Sequence, residues 1–181
     1  YSSKGKYLIY DIIVFSENLA KTEKLLCNRI FYYTAPPFQS ETPTREEESR
    51  KEGYDKFVIK LKEKKVIVRE GRCQRIKSNE KFQFRQKAVD ILLAMDLVNV
   101  PIKYRNVKRI ILIATDSDFV PVINNLKEQG VQTILYTYYE KKRDTNFSRS
   151  NDLVKSVHKY VLLNKEDFDN APLTEDEENK K

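Results

Sequence analysis

Apolar and polar positions divide the chain into short segments of two periodicities. Residues 6–15 (KYLIYDIIVF) are rich in Tyr, Ile and Val and suit either a strand or the start of a helix reaching Cys27. Residues 29–34 (RIFYYT) predict a buried strand, closed by Ala35-Pro36-Pro37 because proline has no N–H to give to a ladder. The polar run 39–53 (QSETPTREEESRKEG) predicts a loop feeding a helix. In that helix Tyr54, Phe57, Val58 and Leu61 share one face opposite Lys56, Lys60 and Lys62. Residues 66–69 predict a short strand.

The second half is more regular. Residues 87–98 (KAVDILLAMDLV) are apolar on nearly every side and predict a buried helix, ended by Pro101. Residues 109–114 (RIILIA) read as an apolar strand of the parallel type, followed by a TDSD turn and a helix over 119–129 with Gly130 as its C′ residue. A strand at 131–136, a helix at 151–158 and a strand at 160–163 continue the series. This alternation predicts an α/β fold with a mostly parallel sheet covered by helices on both faces, in one domain over residues 1–164.

Charge changes the picture at one end. The chain carries 34 Lys+Arg against 27 Asp+Glu, a net of +7. Residues 165–181 hold three lysines and seven acids, a net of −4, which leaves the body at +11. The acidic stretch predicts a disordered extension, and the basic body suits a polyanion such as RNA. The body carries no run near the ~18 apolar residues of a membrane span. Cys27 and Cys73 stand apart from any zinc-binding pattern, so the expectation is reduced thiols in a soluble, cytoplasmic chain with no membrane partner. Glycine occurs only at 5, 53, 71 and 130, which excludes GxGxxG and the P-loop. The single histidine, His158, excludes HExxH, and no GxSxG elbow is present.

Carboxylates are the chemistry that remains. Asp90 and Asp96 interrupt an apolar helix, where an unpaired buried charge costs several kcal/mol. Asp116 and Asp118 follow an apolar strand at its carboxyl end, where open α/β sheets build their sites. Acids gathered at one place are held ionised by a divalent cation, and oxygen ligands without histidine favour Mg²⁺ or Mn²⁺. Each acid also has a structural reading. Asp116 suits an N-cap and Asp90 the positive end of its helix. Asp96, about 120° round the helix from Asp90, suits a salt bridge to Lys103 or Arg105.

The runs KAVDILLAMDLV and ATDSDFVPVINNLKEQGVQTILY, with FYYTAPP at 31–37, resemble the signatures of NYN domains, a branch of the PIN-like nucleases. In these a K-x-V-D helix precedes a strand ending S-G-D-x-D-F. The resemblance covers about residues 29–163. It implies a three-layer α/β/α PIN-like fold and metal-dependent cleavage of RNA, with Asp90, Asp96, Asp116 and Asp118 as catalytic acids. Asp90, Asp116 and Asp118 are the implied metal ligands. The family's first-strand D-G-x-N motif does not occur here; it is expected upstream of Tyr1, the alternative being VFSENL at 14–19 as a degenerate remnant with Phe15 in the acid's place. His158 stands where the family often has an acid.

The implied mechanism is in-line attack of a metal-activated water on a phosphodiester. Arg69, Arg72, Arg75, Lys77, Lys81, Arg85 and Lys87, interleaved with Phe82 and Phe84, would grip single-stranded RNA, joined by Tyr138, Tyr139, Lys141, Lys142 and Arg143. The rival reading is a catalytically degenerate module of the same fold that binds RNA or protein. A third, a phosphatase or flap-type DNA nuclease, would be exposed by substrate profiling.

Overall fold

The polar run after Pro37 is where the fold first departs from the apolar pattern. The protein, here a computed structural model, is described over residues 9–78, 81–138 and 151–173. It divides into two compact units, one of residues 28–96 and one joining the segment up to Cys27 to everything from Leu97 onward.

In the first unit β1 (Phe31–Thr34) and β2 (Ile67–Glu70) pair in parallel, Phe31 opposite Ile67 and Thr34 opposite Glu70, across α2 (Arg45–Glu63). The stretch read as a loop is in fact the first turns of α2. Thr44 explains it: its hydroxyl accepts from the Glu47 N–H at 3.2 Å while the Glu47 carboxylate accepts from the Thr44 N–H at 2.9 Å. This capping box satisfies two orphan donors at once, and Glu46, Glu47 and Glu48 suit the helix dipole. Val58, Leu61 and Val66 are buried, and Phe57 meets Tyr32 of β1 edge-on at 5.5 Å.

After β2 the chain turns through Gly71 into a two-stranded antiparallel ribbon, β3 (Arg72–Ser78) and β4 (Lys81–Lys87). The Gly71 N–H donates to the Thr34 carbonyl at 2.8 Å. A Cβ at this position would collide with the Lys87 carbonyl oxygen, so only glycine lets the two ends of the ribbon close.

The second unit is built on a parallel sheet of order β5 (Arg109–Ile113), β6 (Gln132–Thr137), β7 (Lys159–Leu162). Ile134 and Tyr136 of β6 join Phe15 and Leu19 of α1 (Ile12–Thr22), Leu163 and Ala171 in one cluster. Leu135 points the opposite way and is fully buried as well, with α4 (Val120–Glu128) packed against β6. The central strand is thus covered on both faces. Short helix α5 (Asn151–Ser156) precedes β7. Helix α6 (Lys165–Asp169) lies within the acidic stretch, is closed by an Asn164–Asp167 capping box, and stacks Phe168 on Phe15 at 4.9 Å.

The expected parallel strands are therefore present, but as a two-stranded and a three-stranded sheet rather than one central sheet. Three local expectations also change. VFSENL is helical, part of α1, with Phe15 in the core, so it is no remnant of a first strand. Helix α3 spans Val89–Lys103 with Pro101 inside it, since the bond that proline forgoes lies close to the helix end. Nor is α3 buried all round: Leu97 and Val100 point inward, whereas Ile91, Met95, Val98 and Ile102 are exposed. Gly130 ends α4 in the left-handed region (φ 77°), as its position predicts.

One polar contact ties α1 to the sheet. The Glu23 carboxylate accepts from the Tyr136 hydroxyl at 2.9 Å and from Lys159 Nζ at 2.8 Å. The Lys159 ammonium holds Glu23 below the ordinary glutamate range, burial opposing and the Tyr136 hydrogen bond assisting. A depressed folded-state value means stability that is present above the unfolded pKa and lost as pH falls through the folded one. Glu23→Gln is expected to cost about 1–2 kcal/mol at neutral pH. The melting temperatures of variant and parent should draw together as the pH falls below the ordinary glutamate range and through the depressed value of Glu23. A difference that stays constant from pH 7 to pH 3 would assign the loss to packing instead.

Candidate functional site

Strand β5 ends in a 3₁₀ turn, Ser117–Phe119, that opens α4. Asp116 caps this turn in an extended conformation, its Oδ1 accepting from the Asp118 N–H at 2.9 Å. Phe119 is 4% exposed and anchors the turn in the core, which leaves the neighbouring Asp118 facing solvent. The Asp118 carboxylate makes no hydrogen bond or ion pair among the described residues. So Asp116 does have the capping role its position suggests, with one oxygen committed, and Asp118 has none.

Asp90 and Asp96 belong to the other unit. Asp90 lies exposed in the first turn of α3, without a hydrogen-bond or ionic partner among the described residues. Asp96 is the opposite case. Its side chain is 13% exposed and accepts from Arg69 through Nε at 2.8 Å and Nη2 at 3.2 Å, and from the Tyr33 hydroxyl at 3.1 Å. A bidentate guanidinium is the strong form of such a pair. Its partner is neither Lys103 nor Arg105. Tyr33 and Arg69 are register partners on β1 and β2, and so reach Asp96 from the same face. Sequence reasoning missed this triad, though aligning RIFYYT with VIVRE as parallel neighbours brings Tyr33 opposite Arg69.

The burial argument thus applies to Asp96, which found a cation within the chain. Asp90, Asp116 and Asp118 stand in water, and no desolvation cost compels a metal there. No three carboxylate, thiol or histidine side chains among the described residues are gathered closely enough to enclose an ion. The donor set of Asp116 and Asp118 still fits Mg²⁺ or Mn²⁺ in kind. Mg²⁺ keeps several waters and is commonly held by one or two carboxylates together with substrate phosphates.

The cations expected to grip RNA divide. Arg72, Arg75, Lys77, Arg85 and Lys87 are exposed on the β3–β4 ribbon beside Phe82 and Phe84. Arg69 is committed to Asp96. Tyr139, Lys141, Lys142 and Arg143 lie outside the described residues.

The model of the NYN domain matches residues 1–163 of the 181. The chain belongs to the NYN domain family. No curated protein matches it. NYN domains are in general ribonucleases of the PIN-like superfamily, so the chain is a nuclease-type, RNA-related domain. No helix among the described residues of this NYN domain is long and apolar enough to cross a membrane.

Proposed function

We propose that this NYN domain is a metal-dependent endoribonuclease acting on single-stranded RNA, with Asp116 and Asp118 as metal-holding acids and Asp90 as the third acid of the motif. The observation that carries the reading is the state of Asp118. Asp96 and Glu23 are engaged in structural contacts, whereas Asp118 sits at the carboxyl end of a parallel strand with neither carboxylate oxygen engaged among the described residues. When bound, Mg²⁺ or Mn²⁺ would supply an activated water and charge neutralisation at the phosphodiester. The chain's own part is positional. Phe119 and the Asp116 cap fix the turn, and with it the backbone position from which the Asp118 side chain extends. Asp96 acts at a remove, by joining β1 and β2 to α3 through Tyr33 and Arg69. The parent architecture for this reading is the three-layer PIN-like fold, and the setting is a reducing cytoplasm.

A second reading, an RNA-binding NYN domain without catalysis, is favoured by the lack of three gathered ligands among the described residues. Labelled single-stranded RNA incubated with the chain separates the two. Cleavage is expected with Mn²⁺ or Mg²⁺, none with EDTA, and none with Asp90→Asn. RNA that is bound but left whole with every cation would establish the second reading.

A further inference from the structure

Ribbon β3–β4 is not a core element, because all the described side chains of β4 are exposed. Its composition is one-sided: between Arg72 and Lys87 six Lys/Arg stand against the single Glu80. The register shows how these residues are sorted. Arg75 is opposite Phe84 and Lys77 opposite Phe82, so these four share one face. By alternation Arg72, Arg85 and Lys87 lie on the other.

The first face is aromatic. Phe82 and Phe84 are 56% and 54% exposed. Phe38 meets Phe84 at 5.5 Å, and the Arg75 guanidinium lies 4.9 Å from the Phe38 ring and 4.6 Å from the Phe82 ring. The rings are thus braced by Arg75 of the ribbon and by Phe38 while still open to solvent. Two residues apart on a strand, their attachment points are about 7 Å apart. That is about twice the 3.4 Å rise per stacked nucleotide, which suits bases freed from a duplex. No aliphatic side chain stands among the described residues of this face, the only one on the ribbon being Ile76 on the other.

We propose that the Phe82–Phe84 face docks unpaired RNA bases, with Lys77 beside the rings and the cations of the opposite face supplying the field that draws in the phosphates. Flat aromatic faces bind any base by stacking, and a net positive ribbon complements a polyanion. The proposal rests on the RNA reading above but not on catalysis.

The test is anisotropy of a fluorescein-labelled single-stranded RNA titrated with the full chain in EDTA, so that binding is read without cleavage. Phe82→Leu and Phe84→Leu keep an apolar side chain and lose the flat face. Each is expected to weaken binding about tenfold with the melting temperature and the salt dependence unchanged. Arg85→Gln is expected to lower the slope of log affinity against log salt by about one. Duplex RNA of the same sequence should bind more weakly and ignore the Phe substitutions. The proposal is overturned if the Phe variants bind single strands as the parent does, or if duplex binding falls equally. Cleavage measured in parallel keeps the two readings apart. Metal-dependent cleavage with unaffected Phe variants removes only the ribbon, and stacking-dependent binding without cleavage removes only the nuclease.

Discussion

Asp118→Asn is expected to reduce RNA cleavage by at least about a hundredfold while leaving the fold and RNA affinity in EDTA close to those of the parent. The size follows from what even outer-shell partners of a metal contribute, about 10- to 100-fold; a direct ligand should matter at least as much. Asparagine keeps the volume of aspartate and removes the charge. The turn does not depend on that charge, since its cap is the Asp116 side chain and its anchor is Phe119. Gel-resolved cleavage with Mn²⁺, a melting curve and a binding titration run together decide the matter. A variant that cleaves like the parent would show Asp118 to be an idle surface acid and the metal reading misplaced.

The largest stability effect is expected at Leu135. It is 0% exposed in the central strand of the three-stranded sheet, between register partners on β5 and β7. Leu135→Ala removes a fully buried isobutyl group and leaves a cavity that flanking strands close only in part. A loss of about 3–4 kcal/mol is expected. Leu135→Met, which conserves volume, should lose less than about 1.5 kcal/mol. The chain has no tryptophan, so urea unfolding is best followed by far-UV circular dichroism. Equal destabilisation by both substitutions would mean that shape at this site, rather than buried volume, sets the cost.

What the sequence revealed was the periodic part of the fold. The strand at 109–114, the helix closed by Gly130 and the strand after it all lie within one or two residues of their expected bounds, because apolar runs bounded by turn residues mark them. The misjudged stretches were decided by capping and pairing instead. Arg45–Glu48 looks like loop by polarity, and only Thr44 with Glu47 three residues on marks the helix start. The same device hides α6 in an acid-rich stretch, through Asn164 and Asp167. Helix α3 departs from its expected burial because an all-apolar sequence does not say how much of its surface finds a partner. Among the acids, sequence spacing alone does not separate the engaged Asp96 from the exposed Asp118, since the Arg69 that engages Asp96 is 27 residues away.

The discontinuity of the second unit bears on how the chain is made. Phe15 and Leu19 of α1 complete a cluster whose other members, Ile134, Tyr136, Leu163 and Ala171, are translated more than a hundred residues later. The unit of residues 28–96 is continuous, so all of its residues have emerged before the second unit is complete. Helix α1 must wait, its apolar face uncovered, until the last strand emerges. Long-range closure of this kind is slow. A nascent chain arrested before Leu163 would therefore carry a finished ribbon and an unfinished sheet, and an exposed α1 is the surface that a chaperone would meet first.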